Sequence, residues 1–182
     1  LFGDNAAVGA ALPTPDASAT YIALAAANGK VALVSQPLNA CGTTATPCAT
    51  TNIVDFVGYG SAQQFEGSGA VGALSATTAG KRKAGGCTET DNNAQDFEVG
   101  APAPKNSATA AIVCGATDAA ADTGADTGTD AGDGGGVDAG PAPSGLVVAE
   151  VYGGSGNNAP YKNDYVVIFN RGSASASLAN VY

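Results

Sequence analysis

Four oxygen-bearing side chains crowd one short stretch of the chain: Glu89, Asp91, Asn93 and Asp96. Three of them stand at alternate positions, and hard cations such as Ca²⁺ prefer about six to eight oxygen ligands of this kind. The stretch begins like a calcium loop, but Ala94 stands where such a loop requires glycine. We therefore favour a loop held by hydrogen bonds of its own Asx side chains. A Ca²⁺ site is the alternative, and no other cofactor is predicted.

The residue types that carry out much of enzyme chemistry are missing. The 182 residues contain no His, Met or Trp. This composition excludes, within these residues, His-based triads, HExxH zinc sites and haem ligation by His or Met. Gly154 and Gly156 superficially match a dinucleotide fingerprint, but Pro160 prevents the helix that such a site needs. Glu150 and Asp164 are acids near apolar strands, and we expect Glu150 to accept hydrogen bonds from backbone or Tyr donors. We predict a protein that is not an enzyme.

The net charge of −9 is distributed unevenly. Six of the sixteen acids are Asp residues within 115–145, where no base occurs, so the rest of the chain has ten acids and seven bases. Lys81, Arg82 and Lys83 form the one basic cluster, which we interpret as a solvated strand face. Clustered Lys and Arg are the electrostatic signature of nucleic-acid binding. Because this one cluster is interpreted as a solvated face, nucleic-acid binding is not predicted. No run of about eighteen apolar residues occurs, so no membrane span is predicted.

The four cysteines are Cys41, Cys48, Cys87 and Cys114. They show no CxxC spacing, which argues against a zinc or thioredoxin-type site, and their loop contexts suit disulfides in an oxidising compartment. Four cysteines can form two disulfides in three ways, and the sequence leaves all three open. We favour Cys41 with Cys48 and Cys87 with Cys114, and four free thiols remain the alternative.

Short apolar runs with β-type residues predict an all-β chain. Asn28 and Gly29 separate runs at 20–27 and 30–35, which predicts a hairpin with a two-residue type I′ turn. Residues 52–59 predict a buried strand with Asp55 at its middle, and residues 97–99 predict a short one. A carboxylate in an apolar strand needs hydrogen-bond donors, for which backbone or Tyr groups would suffice.

Residues 115–145 are rich in Asp, Ala, Gly and Thr and predict a flexible tether, because such a segment cannot bury enough apolar surface to fold. After it, runs at 146–152 and 165–169 predict two strands around a polar loop. An isolated strand pair is marginal in water, so this pair must find partners elsewhere. The predicted strand-pairing interface consists of apolar and aromatic residues of both runs: Leu146, Val147, Val148, Val151, Tyr165, Val166, Val167 and Ile168.

Several motifs resemble one known family. EVYGGSGN and NDY within 146–172, with IVDFVGYG and GGCTETDNNAQDF within 14–106, are similar to the bacterial lamin-tail-like domain. The resemblance implies an immunoglobulin-like β-sandwich, but the order of its two halves is inverted. Residues 1–114 resemble the C-terminal part of a module, and 146–182 the first strands of the next module or of a neighbouring copy. We expect an excerpt of a tandem array, with strand addition between copies as the second account.

The resemblance also implies a location and a role. Lamin-tail-like modules belong to extracellular bacterial proteins, so we expect an extracellular or cell-surface protein whose partners are copies of itself. The predicted function is a structural repeat of an extracellular fibre or surface array. The alternatives are an accessory binding or anchoring module of a secreted nuclease or phosphoesterase, and a calcium-dependent adhesion module.

Overall fold

A computed structural model describes the backbone of Phe2–Gly3 and residues 9–17, 22–115, 145–154 and 158–178. In this part of the chain the secondary structure is mostly strands, in two antiparallel sheets, with almost no helix. This part of the chain is therefore all-β, as predicted. The strands in chain order are β1 (Phe2–Gly3), β2 (Gly29–Val34), β3 (Ile53–Tyr59), β4 (Ala79–Arg82), β5 (Phe97–Gly100), β6 (Leu146–Tyr152) and β7 (Tyr165–Asn170).

The larger sheet has the order β1-β7-β6-β4-β5, and β2 and β3 form the smaller sheet. Within the larger sheet, β6 and β7 pair along nearly their whole length. The pairing of β6 with β4 is much shorter and consists of Gly80 opposite Val151 and Lys81 opposite Glu150. Two segments that the sequence assigned to different modules thus share one sheet within this chain. Of the predicted tether at 115–145, residues 116–144 lie outside the described residues.

One hydrophobic cluster joins the two sheets. It combines residues of the smaller sheet, of β5, β6 and β7, and of the segment between β3 and β4: Leu33, Val57, Tyr59, Val71, Leu74, Phe97, Val148, Val151 and Val166. The pairing register of β6 with β7 shifts between Val148 and Glu150, which is a β-bulge. Because the bulge adds one residue to the alternation, Val148 and Val151 both face this cluster although they are three positions apart.

Helical structure is confined to single turns in the described residues. They are α1 (Asn93–Asp96) and two short 3₁₀ turns at Thr50–Asn52 and Ala84–Gly86. None of the helices in the described ranges has the length and apolar character needed to cross a membrane.

The predicted hairpin around Asn28 and Gly29 is wrong. Strand β2 pairs with β3, and residues 22–28 form no strand. Neither Asn28 nor Gly29 has the positive φ that a type I′ turn requires. Gly29 has another use, because it lies opposite Tyr59 in the sheet and a Cβ there would come within 2.5 Å of the Tyr59 hydroxyl. This glycine therefore allows a close approach of a ring instead of a turn.

Both favoured disulfides are present. Cys41 is bonded to Cys48, across seven positions of the loop between β2 and β3. Cys87 is bonded to Cys114, across 27 positions, and ties the end of the described segment 22–115 to the turn after β4. The second bond closes the longer loop, so it removes more conformational freedom from the unfolded chain.

Candidate strand-docking site

Arg82, the last residue of β4, is the centre of a buried polar network. Its side chain is fully buried, whereas Lys81 is half-buried and Lys83 is exposed. The interpretation of these three residues as a solvated face is therefore wrong for Arg82. Side chains alternate between the two faces of a strand, so an arginine between two lysines points the opposite way from both. This arginine points into the protein.

Three carboxylates lie close to the guanidinium of Arg82. Arg82 Nη2 donates to Asp55 Oδ2 at 2.8 Å, and Nη1 lies 2.5 Å from Glu89 Oε2 in an ion pair without good hydrogen-bond geometry. Asp96 Oδ2 is 3.6 Å from Nη1. Asp55 is the carboxylate that was predicted to need backbone or Tyr donors inside its strand. One of its donors is a backbone N–H, that of Val148, and the other is this arginine, which was not predicted. A buried pair of this kind is tolerated only when further hydrogen bonds satisfy its remaining polar atoms.

Those further bonds go largely to the main chain of β6. Arg82 Nε donates to the carbonyl oxygen of Val148 at 2.9 Å, and the N–H of Val148 donates to Asp55 Oδ2 at 2.6 Å. The ion pair therefore binds both backbone groups of one residue. We call Asp55 and Arg82 the docking pair.

The position of Val148 explains why side chains are needed there. It stands at the bulge of β6, where the regular ladder is interrupted, and beyond the two residues of β6 that pair with β4. Buried backbone groups left without a partner cost about 1–3 kcal/mol each. The docking pair supplies these partners to a strand that follows in sequence after residues 116–144.

The opposite face of Arg82 is covered by Phe97 of β5. The guanidinium carbon lies 4.5 Å from the centre of that ring, in a cation–π contact. Arg82 Nη1 also donates to the carbonyl oxygen of Thr88 at 3.1 Å. These contacts hold the planar guanidinium in one orientation. Arg82 of the docking pair is therefore also held by residues outside β6.

A second buried carboxylate holds β6 at Glu150. Its Oε1 accepts hydrogen bonds from Tyr165 Oη at 2.6 Å and from the N–H of Ala103 at 2.7 Å. The expected backbone and Tyr donors are thus present, and the tyrosine lies on β7. Burial raises the pKa of Glu150, and these two hydrogen bonds oppose that rise. Burial and the Glu150 charge also raise the pKa of Tyr165, which keeps its hydroxyl a donor.

Asp164 connects the loop before β7 to the segment before β2. Its Oδ2 accepts a hydrogen bond from the N–H of Leu24 at 2.8 Å, and Tyr59 Oη donates to the carbonyl oxygen of Ala25 at 2.9 Å. The backbone of 22–25 is used in these contacts and not in a ladder with β2. This is the physical reason why the predicted hairpin does not form.

The eight residues of the predicted strand-pairing interface all lie in β6 and β7. Six of them are buried, and Leu146 and Ile168 are half-buried. Their partners are each other, the docking pair and the shared hydrophobic cluster, and β1 pairs with Tyr165 and Val166. Within this chain, the interface is therefore occupied by the chain's own segments.

The four predicted metal ligands do not converge on one point. The Asn93 side chain is fully used, since Oδ1 accepts from the N–H groups of Gly58 and Glu66, and Nδ2 donates to the carbonyl oxygen of Phe56. Its amide links β3 to α1. This arrangement matches the favoured interpretation of a loop held by its own polar side chains.

Asp96 is used in a similar way. It accepts hydrogen bonds from Thr90 and from the N–H of Asn92. Burial alone would raise the pKa of Asp96, but these donors and Arg82 outweigh that effect and lower it. Asn93 and Asp96 therefore hold the loop that carries the other two predicted ligands.

Glu89 and Asp91 do lie together, but with Glu66. Carboxylate oxygens of these three residues are all within 4.8 Å of one another. Burial, followed by the charges of Asp55 and Glu89, raises the pKa of Glu66 to about 8. Burial also raises the pKa of Glu89, against the opposing effect of Arg82.

Sequence reasoning missed Glu66 and Arg82 as members of this site. Phe65, Glu66 and Gly67 were the one distinctive element in a stretch of small residues, and this was the available signal for Glu66. Arg82 had no such signal, because its neighbours in the site are distant in sequence.

No protein-family model, curated protein or solved structure matches the chain.

Proposed function

We propose that this chain is a non-enzymatic structural repeat of a bacterial extracellular fibre or surface array, with an immunoglobulin-like β-sandwich of the lamin-tail type. Modules assemble when the β6–β7 pair of one copy docks on the body of the next, where the body is residues 22–115. One observation carries the proposal. The docking pair binds the main chain of Val148, which lies in a segment separated from the body by residues 116–144.

A docking site that binds main-chain groups recognises the backbone shape and the register of a strand. In this chain the ladder between β4 and β6 is short, and the side chains of Asp55 and Arg82 in the body provide further contacts to the main chain of β6. The same contacts can form between two copies without any new geometry. Exchange of an identical element between protomers is a low-cost route to assembly.

The intervening segment is long enough for such exchange. At about 3.4 Å per residue, residues 116–144 can reach at most about 100 Å. A folded domain of this size has a radius of gyration of only about 15 Å. The β6–β7 pair can therefore reach the body of its own chain or that of a neighbour. When each copy receives the β6–β7 pair of a different copy, docking is head-to-tail, and head-to-tail contacts that do not close build filaments.

The extracellular location is supported by the two disulfides. Disulfides form and persist in oxidising compartments and are rare in the cytosol. They also compensate for a core in which large apolar side chains are few, since closing a loop restricts the unfolded chain. Both properties suit a repeat that has to remain folded outside the cell.

The proposal is tested by placing a specific protease site within residues 116–144. We expect the uncut protein to form a concentration-dependent series of oligomers by size-exclusion chromatography with light scattering, and filaments by electron microscopy. Cutting should convert them to particles with the mass of a single chain, because each body then retains one β6–β7 pair without a covalent link. Oligomers that survive cutting, or uncut protein that stays monomeric at high concentration, would refute strand exchange.

A matched pair of variants separates docking from general charge effects. Arg82→Met removes the guanidinium of the docking pair, and Lys83→Met removes an exposed charge next to it. After cutting, we expect the β6–β7 fragment to dissociate from Arg82→Met but not from Lys83→Met. Equal retention by both variants would contradict the role of the docking pair.

A further inference from the structure

The outer edge of β2 carries main-chain groups without partners. In an antiparallel pair, the N–H and C=O groups of successive residues point alternately toward the partner strand and away from it. Phe56 and Gly58 of β3 point away from β2, because the Asn93 side chain on the other side binds the C=O of the first and the N–H of the second. Lys30 lies opposite Gly58 and Ala32 opposite Phe56, so the main-chain groups of these two β2 residues also point outward. They form no hydrogen bond within the described part of the chain.

The other edge of this smaller sheet, along β3, is closed. Beyond the contacts of Asn93, the N–H of Val71 donates to the C=O of Gly58, and its C=O accepts from the N–H of Gly60. A row of unpaired main-chain groups at an edge is a template for pairing with another strand. The fold therefore covers one edge of the smaller sheet and leaves the edge of β2 open among the described residues.

A second open edge belongs to β5, the last strand of the larger sheet. The N–H of Lys83 donates to the C=O of Asp96, so Asp96 and, two residues later, Glu98 point toward β4. The main-chain groups of Phe97 and Val99 therefore point away from β4. The N–H of Phe97 is bonded back to α1, which leaves its C=O and both groups of Val99 without a partner among the described residues.

The two open edges lie on opposite sides of one copy. The turn α1 contacts both β3 and β5, whereas β2 lies on the far side of β3. Because the edges face away from each other, β2 can pair only with the β5 of a different copy.

We propose that β2 of one copy pairs in parallel with β5 of the next copy, with Lys30 opposite Glu98. In a parallel pair, a residue bonds to the two residues that flank its opposite residue. The N–H of Lys30 then donates to the C=O of Phe97, and its C=O accepts from the N–H of Val99. The N–H of Ala32 donates to the C=O of Val99. These are the groups that the two edges leave unpaired.

The side chains fit this register. Val31 and Phe97 face the shared hydrophobic cluster, so Lys30 and Glu98 both point to the outer face, where their opposite charges meet. Neither is in an ion pair within the described part of the chain. Val31 lies opposite Val99, whose side chain is 43% exposed and becomes covered. Antiparallel pairing would instead place Lys30 opposite Val99 or Phe97, which sets a charge against an apolar side chain.

This contact rests on the proposed function. Its few hydrogen bonds and an ion pair exposed to water are too weak to join free copies at low concentration. Strand exchange through residues 116–144 tethers neighbouring copies and raises their effective concentration at this contact. Particles released by cutting are therefore still expected to have the mass of a single chain. Within the filament, the contact joins the larger sheet of one copy to the smaller sheet of the next.

The test is cross-linking of the uncut full chain with a water-soluble carbodiimide, which joins an amine directly to a neighbouring carboxylate. The sample mixes unlabelled chains with chains labelled with heavy nitrogen, so mass spectrometry separates bonds between copies from bonds within one copy. We expect an amide bond between Lys30 of one copy and Glu98 of another. Lys81 lies opposite Glu98 within the same chain, and the cross-link between these two is the internal control for the reagent.

A proline at position 32 tests the pairing itself. The N–H of Ala32 points away from β3, so Ala32→Pro breaks no hydrogen bond of the chain's own sheet but blocks addition of a strand at the outer edge. Ala32→Thr keeps the N–H and is the matched control. We expect the cross-link between copies to be lost in Ala32→Pro and kept in Ala32→Thr. Circular dichroism and an unchanged cross-link of Lys81 to Glu98 verify that both variants are folded.

Filaments and the cross-link report on different interfaces. Filaments seen by electron microscopy without a cross-link between Lys30 and Glu98 would overturn edge pairing and leave strand exchange standing. Equal cross-linking by both variants of Ala32 would also overturn it. Uncut protein that forms no filaments but gives the cross-link at high concentration would refute strand exchange and support edge pairing. The absence of both would overturn both.

Discussion

Replacing Arg82 by Met is the most informative perturbation of this protein. The change keeps the length of the side chain and removes the guanidinium. It leaves Asp55 without its ion-pair partner and leaves the carbonyl oxygens of Val148 and Thr88 without donors. Asp55 is 2% exposed, so water cannot easily replace the lost contact.

The magnitude follows from these contacts. Breaking a buried ion pair by removing one partner costs about 3–5 kcal/mol, a value that already includes the uncompensated charge. Each carbonyl that loses its donor adds about 1 kcal/mol, and the apolar Met side chain recovers part of this through packing against Phe97. We expect a loss of about 4–5 kcal/mol. Since small domains are stable by about 5–15 kcal/mol, this variant should be close to unfolding.

The assay is urea denaturation followed by far-ultraviolet circular dichroism, in EDTA at neutral pH. Lys83→Met is the control, and it should change the free energy of unfolding by less than about 0.5 kcal/mol because Lys83 is exposed. Asp55→Asn and the double variant complete a thermodynamic cycle. The double variant should lose at least about 2 kcal/mol less than the sum of the single losses, as expected for residues in direct contact.

Two results would refute this reasoning. One is a loss of less than about 1 kcal/mol in Arg82→Met, which is the range of exposed pairs. The other is a coupling between Asp55 and Arg82 near zero. Hydrogen exchange provides a local check, because the amide of Val148 donates to Asp55 and should lose its protection in either single variant.

Two further predictions concern pH and the disulfides. In the folded state the pKa of Glu66 is about 8 and its ordinary value is 4.5, so between these values the folded chain binds a proton that the unfolded chain has released. The free energy of unfolding should therefore fall as pH rises through this window, and Glu66→Gln should be more stable than the native chain at pH 9 by about 2 kcal/mol, after a reduction for its partial exposure. Urea titrations in EDTA at pH 5 and pH 9 measure this, and identical pH dependence of the two proteins would contradict it. For the disulfides, loss of the bond between Cys87 and Cys114, which spans 27 positions, should cost about 3.5 kcal/mol, against about 2.5 kcal/mol for the seven positions between Cys41 and Cys48. Thermal unfolding of the two Cys→Ala pairs checks the order, and a larger loss from Cys41 and Cys48 would contradict the loop-entropy account.

Local patterns predicted much of the fold. Apolar runs bounded by turn residues located the strands at 53–59, 97–100, 146–152 and 165–170, and the loop contexts of the cysteines indicated both disulfides. These features depend on neighbours in sequence, which is why they are readable there. The hairpin at Asn28 and Gly29 failed for the same reason. A turn dipeptide cannot reveal that its glycine lies under the ring of Tyr59, which comes from another strand.

The candidate site also combines features that local sequence predicts with features that only tertiary packing decides. Sequence by itself determined that Asp55 would lie in an apolar strand and need donors, and that Glu89 and Asp91 would be close to each other. Only the tertiary structure decided that the donors are Arg82 and the N–H of Val148, and that Glu66 joins the cluster. In the sequence, Arg82 stands between two lysines and resembles a surface residue. Its side chain is buried only because the two sheets pack together. A buried charge is stable only where distant segments place all of its partners around it, and those partners are set by packing and not by local sequence.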